Sequence, residues 1–553
     1  MVDKITTNRI VVFDTETSGL SAHHDQIVQF AGIGLDPELN IIPGDEIVLD
    51  VLMRPDVIPS PGAFAVTGIS ISHLMEHGIP EFEAAGHIRN WFMRQEGTNI
   101  TGYNTQRFDD EVIRNTFFRN MIDPYQHEWD KGNSRSDILR LITMVYALRP
   151  ELLRWPLKDG RYSMKLGEMC RENGIRLDNA HDARFDVMAT IELMRLVRNA
   201  SPRLWNHFLG LSDKSQIQNL VNQRKPLAMV DPFFSREQGH LSIVLPIIYD
   251  LSVKTKMHAV DLREDPTELL SLEPSEIRRR MFTKVSELGE GEGISSIRSI
   301  TTNKAPIVCE LSVLRGRDDL TRRSGIDMER CLKHAAMIDA DKGFRDRLQQ
   351  AFVSDFDPPE DVYEGIYSLG MIGKDEHTLR SRTRRLISIP GFEGQHHEII
   401  TTDPHELSTM QSRDRLRLFE LTLRAKWANF GDEVMAHNKF TPAELSEWVK
   451  HLDRRWFTDH SLKNCSNLER FTKDLAEVKA SVAMDATQEK ALEELEAHVI
   501  TTVTLIDGLK SISADLRDNA LVEETLRTEV GIIDSDRKSR EARGSSDGVD
   551  YQP

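Results

Sequence analysis

The chain has 553 residues, 39% of them hydrophobic and 29% charged, which suits two to four soluble globular domains. It has no uncharged apolar run of the ~18 residues a membrane span needs. Met1 to Ile10 lacks the apolar stretch of a signal peptide, and its four cysteines form no CxxC pair, so membrane, disulfide-framework and zinc-ribbon classes are disfavoured and a cytoplasmic location is expected. The net charge of −18 argues against sequence-blind duplex binding, but the acidity sits at the ends: Lys+Arg against Asp+Glu is 5 to 14 over residues 1–100 and 26 to 38 over 351–553, with near balance between.

In chain order, Arg9 to Phe13 is a β-rich apolar run, broken at Ser18-Gly19, and Ile27 to Ile33 is apolar again. Ile47 to Met53 predicts a further strand and Phe82 to Arg94 a helix. Asn99 to Asn104 predicts a short strand that leads into a helix from Asp110 to Asn120. Helices are expected at Asp137 to Leu148, at Lys165 to Asn173 and at Asp182 to Arg198, where Val187, Ile191, Met194 and Val197 keep helical spacing. Residues 1–200 therefore form a mixed α/β domain, closed at Ser201-Pro202. In 201–356, Leu241 to Ile248, Met257 to Leu262 and Ala305 to Leu314 read as strands and Leu270 to Val285 as a helix, making a second, α+β domain. Residues 357–510 are mostly helical, with amphipathic stretches at Leu416 to Trp427 and Gln488 to Ile500. The remainder, 511–553, is a helical extension followed by a polar tail whose composition predicts disorder.

Three acidic elements stand out. Asp14-Thr15-Glu16-Thr17 ends the first strand, where residues i and i+2 share a face, so two carboxylates are presented together. Such a pair repels itself unless a cation neutralises it, and oxygen donors select Mg²⁺ or Mn²⁺. Asp109 opens the helix after the short strand. His181 precedes the last helix of the domain and Asp186 lies within it. Taken singly, each has a bland explanation: solvated surface acids for the pair, a helix cap for Asp109, and a satisfied surface residue for the histidine. Asp186 is less bland, because a carboxylate beside an apolar helix face must be paired or metal-bound if buried.

The ordered set of acid pair, central-helix aspartate and HxxxxD resembles the DEDDh 3′–5′ exonucleases. Tyr103 to Glu111, Asp123-Pro124-Tyr125, Asn133-Ser134-Arg135 and Tyr146 to Pro150 look more narrowly like the bacterial exodeoxyribonuclease I family, closely over 9–200 and loosely to about 485. The resemblance implies an α+β multidomain protein with an RNase-H-like exonuclease domain, an SH3-like DNA-binding middle domain and a helical C-terminal domain. It implies Asp14, Glu16, Asp109 and Asp186 as ligands of two Mg²⁺ ions, with Mn²⁺ as a substitute, and His181 as general base. It also implies processive 3′-to-5′ release of 5′-mononucleotides from single-stranded DNA, in DNA repair and recombination. The implied partners are single-stranded DNA and, through its acidic C-terminal peptide, single-stranded-DNA-binding protein; the enzyme is expected to be monomeric.

A non-specific strand binder needs cations for the backbone and aromatic faces for bases. Residues 103–165 interleave Arg107, Arg114, Arg119, Arg135 and Arg140 with Phe108, Phe117, Phe118, Tyr125 and Trp129. Helix position assigns at least one of Phe117 and Phe118 to the core. Arg114, Tyr125, Trp129 and Arg135 are expected at the substrate, with Glu16. Lys165 stands where the family has a basic substrate-binding residue, usually Arg, and Lys304 is expected to extend the track into the second domain. Two alternatives remain open at this stage: an RNA 3′-end exonuclease, since the acidic motif is shared with RNA-trimming enzymes, and a non-catalytic single-strand scaffold.

Overall fold

The computed structural model describes residues 7–158, 160–176, 183–283, 287–288, 296–352, 359, 361–367, 372–387, 412–436, 442–458, 467–481 and 484–517. The N-terminal domain is built on a five-stranded mixed sheet. Its strands are β1 (Arg9–Thr17), β2 (Ile27–Leu35), β3 (Ile41–Asp50), β4 (Thr98–Thr101) and β5 (Ser134–Arg135), in the order β3-β2-β1-β4-β5. β2 runs antiparallel to both β1 and β3, whereas β4 lies parallel to β1. β3 starts earlier than the hydrophobic pattern predicts, because Pro43-Gly44 masks its first half; an edge strand tolerates both residues.

Among the described residues of the first 200, seven α-helices accompany the sheet: α1 (Pro61–Thr67), α2 (Ile71–His77), α3 (Glu81–Phe92), α4 (Asp109–Arg119), α5 (Ile138–Leu148), α6 (Leu166–Glu172) and α7 (Ala183–Ala200). The alternation of β1 sorts them. Ile10 and Val12 enter one core with α5 and α7, while Val11 and Phe13 enter another with α3 and α4. Phe117 belongs to that second core. Phe118 is buried in a separate cluster against Leu379 and Leu418, so neither ring is offered to a ligand.

The first core does not stop at residue 200. Pro202 sits in the first turn of α8 (Pro202–Gly210), whose Trp205 and Phe208 are buried in the same cluster as α9 (Lys214–Asn222) and the second sheet. That sheet has the order β11-β10-β9-β8-β12, from β8 (Leu227–Val230), β9 (Leu241–Tyr249), β10 (Lys256–Asp261), β11 (Ile297–Thr301) and β12 (Ile307–Glu310); β6 (Leu157–Lys158) and β7 (Arg161–Tyr162) form a separate hairpin. The expected helix over Leu270 to Val285 is two, α10 (Thr267–Ser271) and α11 (Pro274–Phe282), because Pro274 cannot continue a helix and starts a new one; 284–285 lie outside the described residues. The strand expected over Ala305 to Leu314 ends at Glu310 and turns into a 3-10 segment. α12 (Asp318–Arg323), α13 (Met328–Ala340) and α14 (Phe344–Ala351) close this part.

The C-terminal part is helical: α15 (Lys374–Ile387), α16 (Ser412–Ala436), α17 (Pro442–Asp453), α18 (Leu468–Ser481) and α19 (Ala486–Arg517). Its core takes in Trp427, Trp448 and Trp456 together with Phe64, Ala65, Ile71 and Leu74, so α1 and α2 pack as members of the helical part. α19 runs on past residue 510 to Arg517, and the polar tail lies outside the described residues. Among the described residues no helix is long and apolar enough to cross a membrane.

Candidate active site

β1 is the central strand, and its last turns of pleat carry the acids out of the core. Asp14 and Glu16 follow Ile10 and Val12 on the face covered by α7, which brings Asp186 from its first turn. Carboxylate oxygens of Asp14, Glu16 and Asp186 all lie within 4.8 Å of one another. Asp109, the first residue of α4, reaches the group from the other side: Thr15 Oγ1 donates to Asp109 Oδ1 at 2.5 Å.

The electrostatics are those of a site awaiting a cation. Burial pushes the Asp14 carboxyl well above its usual range, and the charges of Asp109, Glu16 and Asp186 push it further. Asp109 is raised to about 7, chiefly by burial and also by Asp110 and Asp137, while the Thr15 hydroxyl pulls the other way. A cluster of oxygen donors that repel one another fits Mg²⁺ or Mn²⁺ in ligand type and charge. Asp14, Glu16 and Asp186 are the residues placed to hold it, with Asp109 adjacent. His181 lies outside the described residues.

A second layer fixes these acids. Asp137 caps α5 by accepting from Leu139 N at 2.9 Å, and also accepts from Asn104 N at 2.9 Å and Gln106 N at 3.1 Å. It therefore ties the loop that delivers Asp109 to the helix beneath. Asn104 takes a left-handed conformation, φ 65°, which asparagine tolerates better than most residues. Sequence reading passed over Thr15 and Asp137 as functional positions. The signal for Asp137 was available, an aspartate immediately before the apolar run Ile138 to Leu148.

The loop opens onto a cleft of about 330 Å³ between the first two domains, lined by Gln106, Arg107, Arg140, Phe233, Arg236 and Lys304 among others. The Arg107 guanidinium lies over the Phe233 ring, 5.4 Å from its centroid, and that ring is 70% exposed. Phe233 was not foreseen, because a phenylalanine after Asp231-Pro232 has no distinguishing pattern.

The other expected substrate residues are dispersed. Lys165 is exposed at the start of α6, and Trp129 is 61% exposed. Tyr125 is half-buried beneath the Arg114 guanidinium, 5.4 Å away. Arg114 itself is buried, with Glu128 at 2.6 and 3.0 Å and Glu111 at 2.7 Å. Arg135 is buried between Asp110 at 2.5 Å and Glu128 at 3.1 Å. Both charges are neutralised within the protein, so a phosphate would have to compete with these carboxylates. Lys304 is 3.5 Å from Glu111. Arg119 is a correction: it is buried on Glu81 and takes no place in an open basic surface.

A mixed sheet with an acid cluster at the end of its central strand, joined to a second small sheet domain, defines an exonuclease of RNase-H-like fold. The family described as exonuclease matches residues 11–194, and the one described as the exonuclease I SH3-like domain matches 212–354. Exodeoxyribonuclease I of Escherichia coli strain K12 is 30% identical over 479 residues, covering 85% of this chain and 94% of its own. The chain belongs to the exodeoxyribonuclease I family. Among solved structures, a moderately thermophilic exonuclease I from Methylocaldum szegediense has a TM-score of 0.79 at 30% identity, covering 90% of this chain and 99% of its own. A zinc-bound complex of E. coli exonuclease I with single-stranded DNA has a TM-score of 0.78 at 28% identity, covering 90% of this chain and 100% of its own.

Proposed function

We propose that the protein is a processive 3′-to-5′ exonuclease that hydrolyses single-stranded DNA to 5′-mononucleotides and serves DNA repair and recombination. The observation that carries this is the convergence of Asp14, Glu16 and Asp186, with Asp109 attached through Thr15, next to a cleft lined by cations and an exposed aromatic ring. Asp14, Glu16, Asp109 and Asp186 would hold two Mg²⁺ ions, which neutralise charge on the attacking and leaving oxygens of a phosphodiester. Mn²⁺ would serve in their place. Membership of a family with a zinc-bound relative agrees with a divalent-ion site.

In this reading His181 takes the proton from the attacking water, and Glu16 also positions the terminal nucleotide. Arg107, Arg140, Arg236 and Lys304 hold the strand's phosphates, and Phe233 stacks on a base. Lys165, Trp129 and Tyr125 flank the path, and Arg114 and Arg135 join it by exchanging a carboxylate for a phosphate. The domain scheme is an exonuclease unit (1–200), an SH3-like unit (201–356), a helical unit (357–510) and an extension and tail (511–553). The enzyme acts as a cytoplasmic monomer, with single-stranded-DNA-binding protein as its partner.

The test is a time course on 3′-labelled and 5′-labelled single-stranded DNA with Mg²⁺, beside matched RNA and duplex. Mononucleotide release from the 3′ end of the DNA, abolished by chelation and by Asp186→Ala, is expected. Preference for RNA would replace the substrate assignment. Binding without release from any substrate would replace catalysis with a scaffold role.

A further inference from the structure

Away from the acid cluster, a second cavity of about 290 Å³ lies between α3, the loop at 121–126 and α15. Arg89, Arg380, Arg384 and His377 line it, with Asp123 as the one carboxylate among its described lining residues. The Asp123 carboxylate is committed to its own loop, where Oδ1 accepts from the Tyr125 and Gln126 amides at 2.8 and 3.0 Å. Arg380 is 1% exposed; its Nε meets Glu376 at 2.8 Å and its Nη1 meets the Phe118 carbonyl at 3.1 Å. Among the described residues Arg380 Nη2 has no hydrogen-bond partner, although such a buried donor ordinarily has one.

Arg384 is built into the wall. Its guanidinium stacks 3.9 Å from the Phe82 ring centroid and donates through Nη1 to the Asn120 carbonyl at 2.7 Å. It lies against the middle of α3 at Gly86, where a Cβ would stand 2.7 Å from Arg384 Nη2. Glycine within a helix is unfavourable, so its presence here goes with the close approach of the cation. Among the described residues, Arg89, half-buried on the same helix, holds Asn90 at 3.3 Å and Gln126 at 3.1 Å through its guanidinium. Burial and the Arg89 charge together lower the Arg384 pKa to about 10. Three guanidiniums thus share one cavity, with the charges of Glu83 and Asp123 nearby and Glu376 shared between Arg380 and Arg417.

We propose that this cavity binds a phosphate group, either inorganic phosphate or the phosphate of a nucleoside 5′-monophosphate. Guanidinium forks match tetrahedral oxyanions in geometry, and a dianion answers several cations where a single carboxylate would not. The cavity is lined by residues outside the acid cluster and its cleft, so the proposal stands whether or not the strand path described above is right.

The test is equilibrium dialysis of the full chain with EDTA present, using labelled inorganic phosphate in one arm and dAMP in the other, with acetate as competitor. Saturable phosphate binding, not displaced by acetate and weakened about tenfold or more by Arg89→Gln, is expected, since a charged hydrogen bond is lost. Arg89 is partly exposed with few partners, so this variant should fold; Gly86→Ala, which crowds Arg384, gives a second reading from the opposite wall. If dAMP binds more tightly than phosphate and both weaken in the variants, the nucleotide is the ligand; equal affinities leave phosphate alone as sufficient. Absence of saturable phosphate binding, or binding unchanged in both variants, would overturn the proposal. Exonuclease activity should be unaltered in Arg89→Gln, and its loss in Asp186→Ala bears only on the acid cluster.

Discussion

At the scale of single residues, the acid cluster depends on neighbours that carry no charge. Thr15 sits between the two strand carboxylates but points across to Asp109, and its hydroxyl is what favours the ionised form of an aspartate that burial has raised to about 7. Thr15→Val should therefore leave Asp109 more often protonated at neutral pH and weaken the hold on divalent cations. The expected result is a Mg²⁺ half-saturation raised about tenfold, as is usual for loss of a group that orients a ligand, with activity largely restored at high Mg²⁺ and at higher pH. An unchanged Mg²⁺ titration would remove Thr15 from the site. A second residue, Glu81, serves stability rather than chemistry. Burial alone would raise its pKa, but Arg119 and Arg54 outweigh it and hold the carboxyl at about 2, against an ordinary 4.5. A depressed acid contributes stability above its unfolded pKa and loses it as pH falls through the folded one. Glu81→Gln should cost about 3–5 kcal/mol at pH 7, and the gap to wild type should close between pH 4.5 and 2 in denaturant titrations.

At the scale of elements, what could be read from the sequence was set by periodicity and by local punctuation. β1, β2, α5 and α7 follow simple patterns with capping or breaking residues at their ends, and the structure has them within a residue or two. The pairing of Asp14 with Glu16 was legible for the same reason, because alternate residues of a strand share a face, whereas their meeting with Asp186 was implied only by the resemblance to the DEDDh exonucleases. α1 and α2 are seven residues each, too short for a periodic signal, and their apolar side chains serve the core of a distant part of the chain. The fate of Arg114, Arg119 and Arg135 was also hidden, since their partners Glu128 and Glu81 come from other segments, although Glu111 shares the helix of Arg114. One element junction is testable directly. Gly102 ends β4 where it passes β1, and a Cβ there would stand 2.3 Å from both the Phe13 carbonyl oxygen and Thr105 Cγ2. Gly102→Ala should separate the Asp109 loop from Asp14. Loss of at least 100-fold in kcat, for a protein still folded by circular dichroism, is expected of a small misplacement at a reacting centre; near-normal turnover would show that the loop adapts.

At the scale of the whole molecule, three parts of the chain meet at one carboxylate. Glu111 on α4 takes Arg114 at 2.7 Å from its own helix, Lys304 at 3.5 Å from the second domain, and the hydroxyl of Tyr367 from the segment that leads into the helical part. Burial would raise its pKa, but Arg114, Tyr367 and Lys304 hold it below the usual value, so it is ionised and bridging at neutral pH. Tyr367 also accepts from Arg114 at 3.0 Å, and its ring lies 6.3 Å from that of Tyr125. Lys304 lines the cleft, so this junction stands at the edge of the proposed strand path. A strand held by weak contacts stays bound through successive steps only if the surrounding parts stay together longer than one turnover. Tyr367→Phe keeps the ring and removes only the hydroxyl link, which isolates the junction from gross folding. With a trap that captures released enzyme, the expected outcome is a severalfold shorter run per binding event, while the initial rate at saturating DNA stays within about twofold, because the reacting groups are untouched. The same loss should follow from removing residues 358 onward, with the addition of lower stability, since α1 and α2 would lose the tryptophan core that covers them. Equal run lengths in Tyr367→Phe and wild type would mean that the parts are held together elsewhere, where the Tyr363 hydroxyl accepts from Arg54 at 2.7 Å and His451 meets Asp56 at 3.1 Å, and that Glu111 serves only to neutralise Arg114.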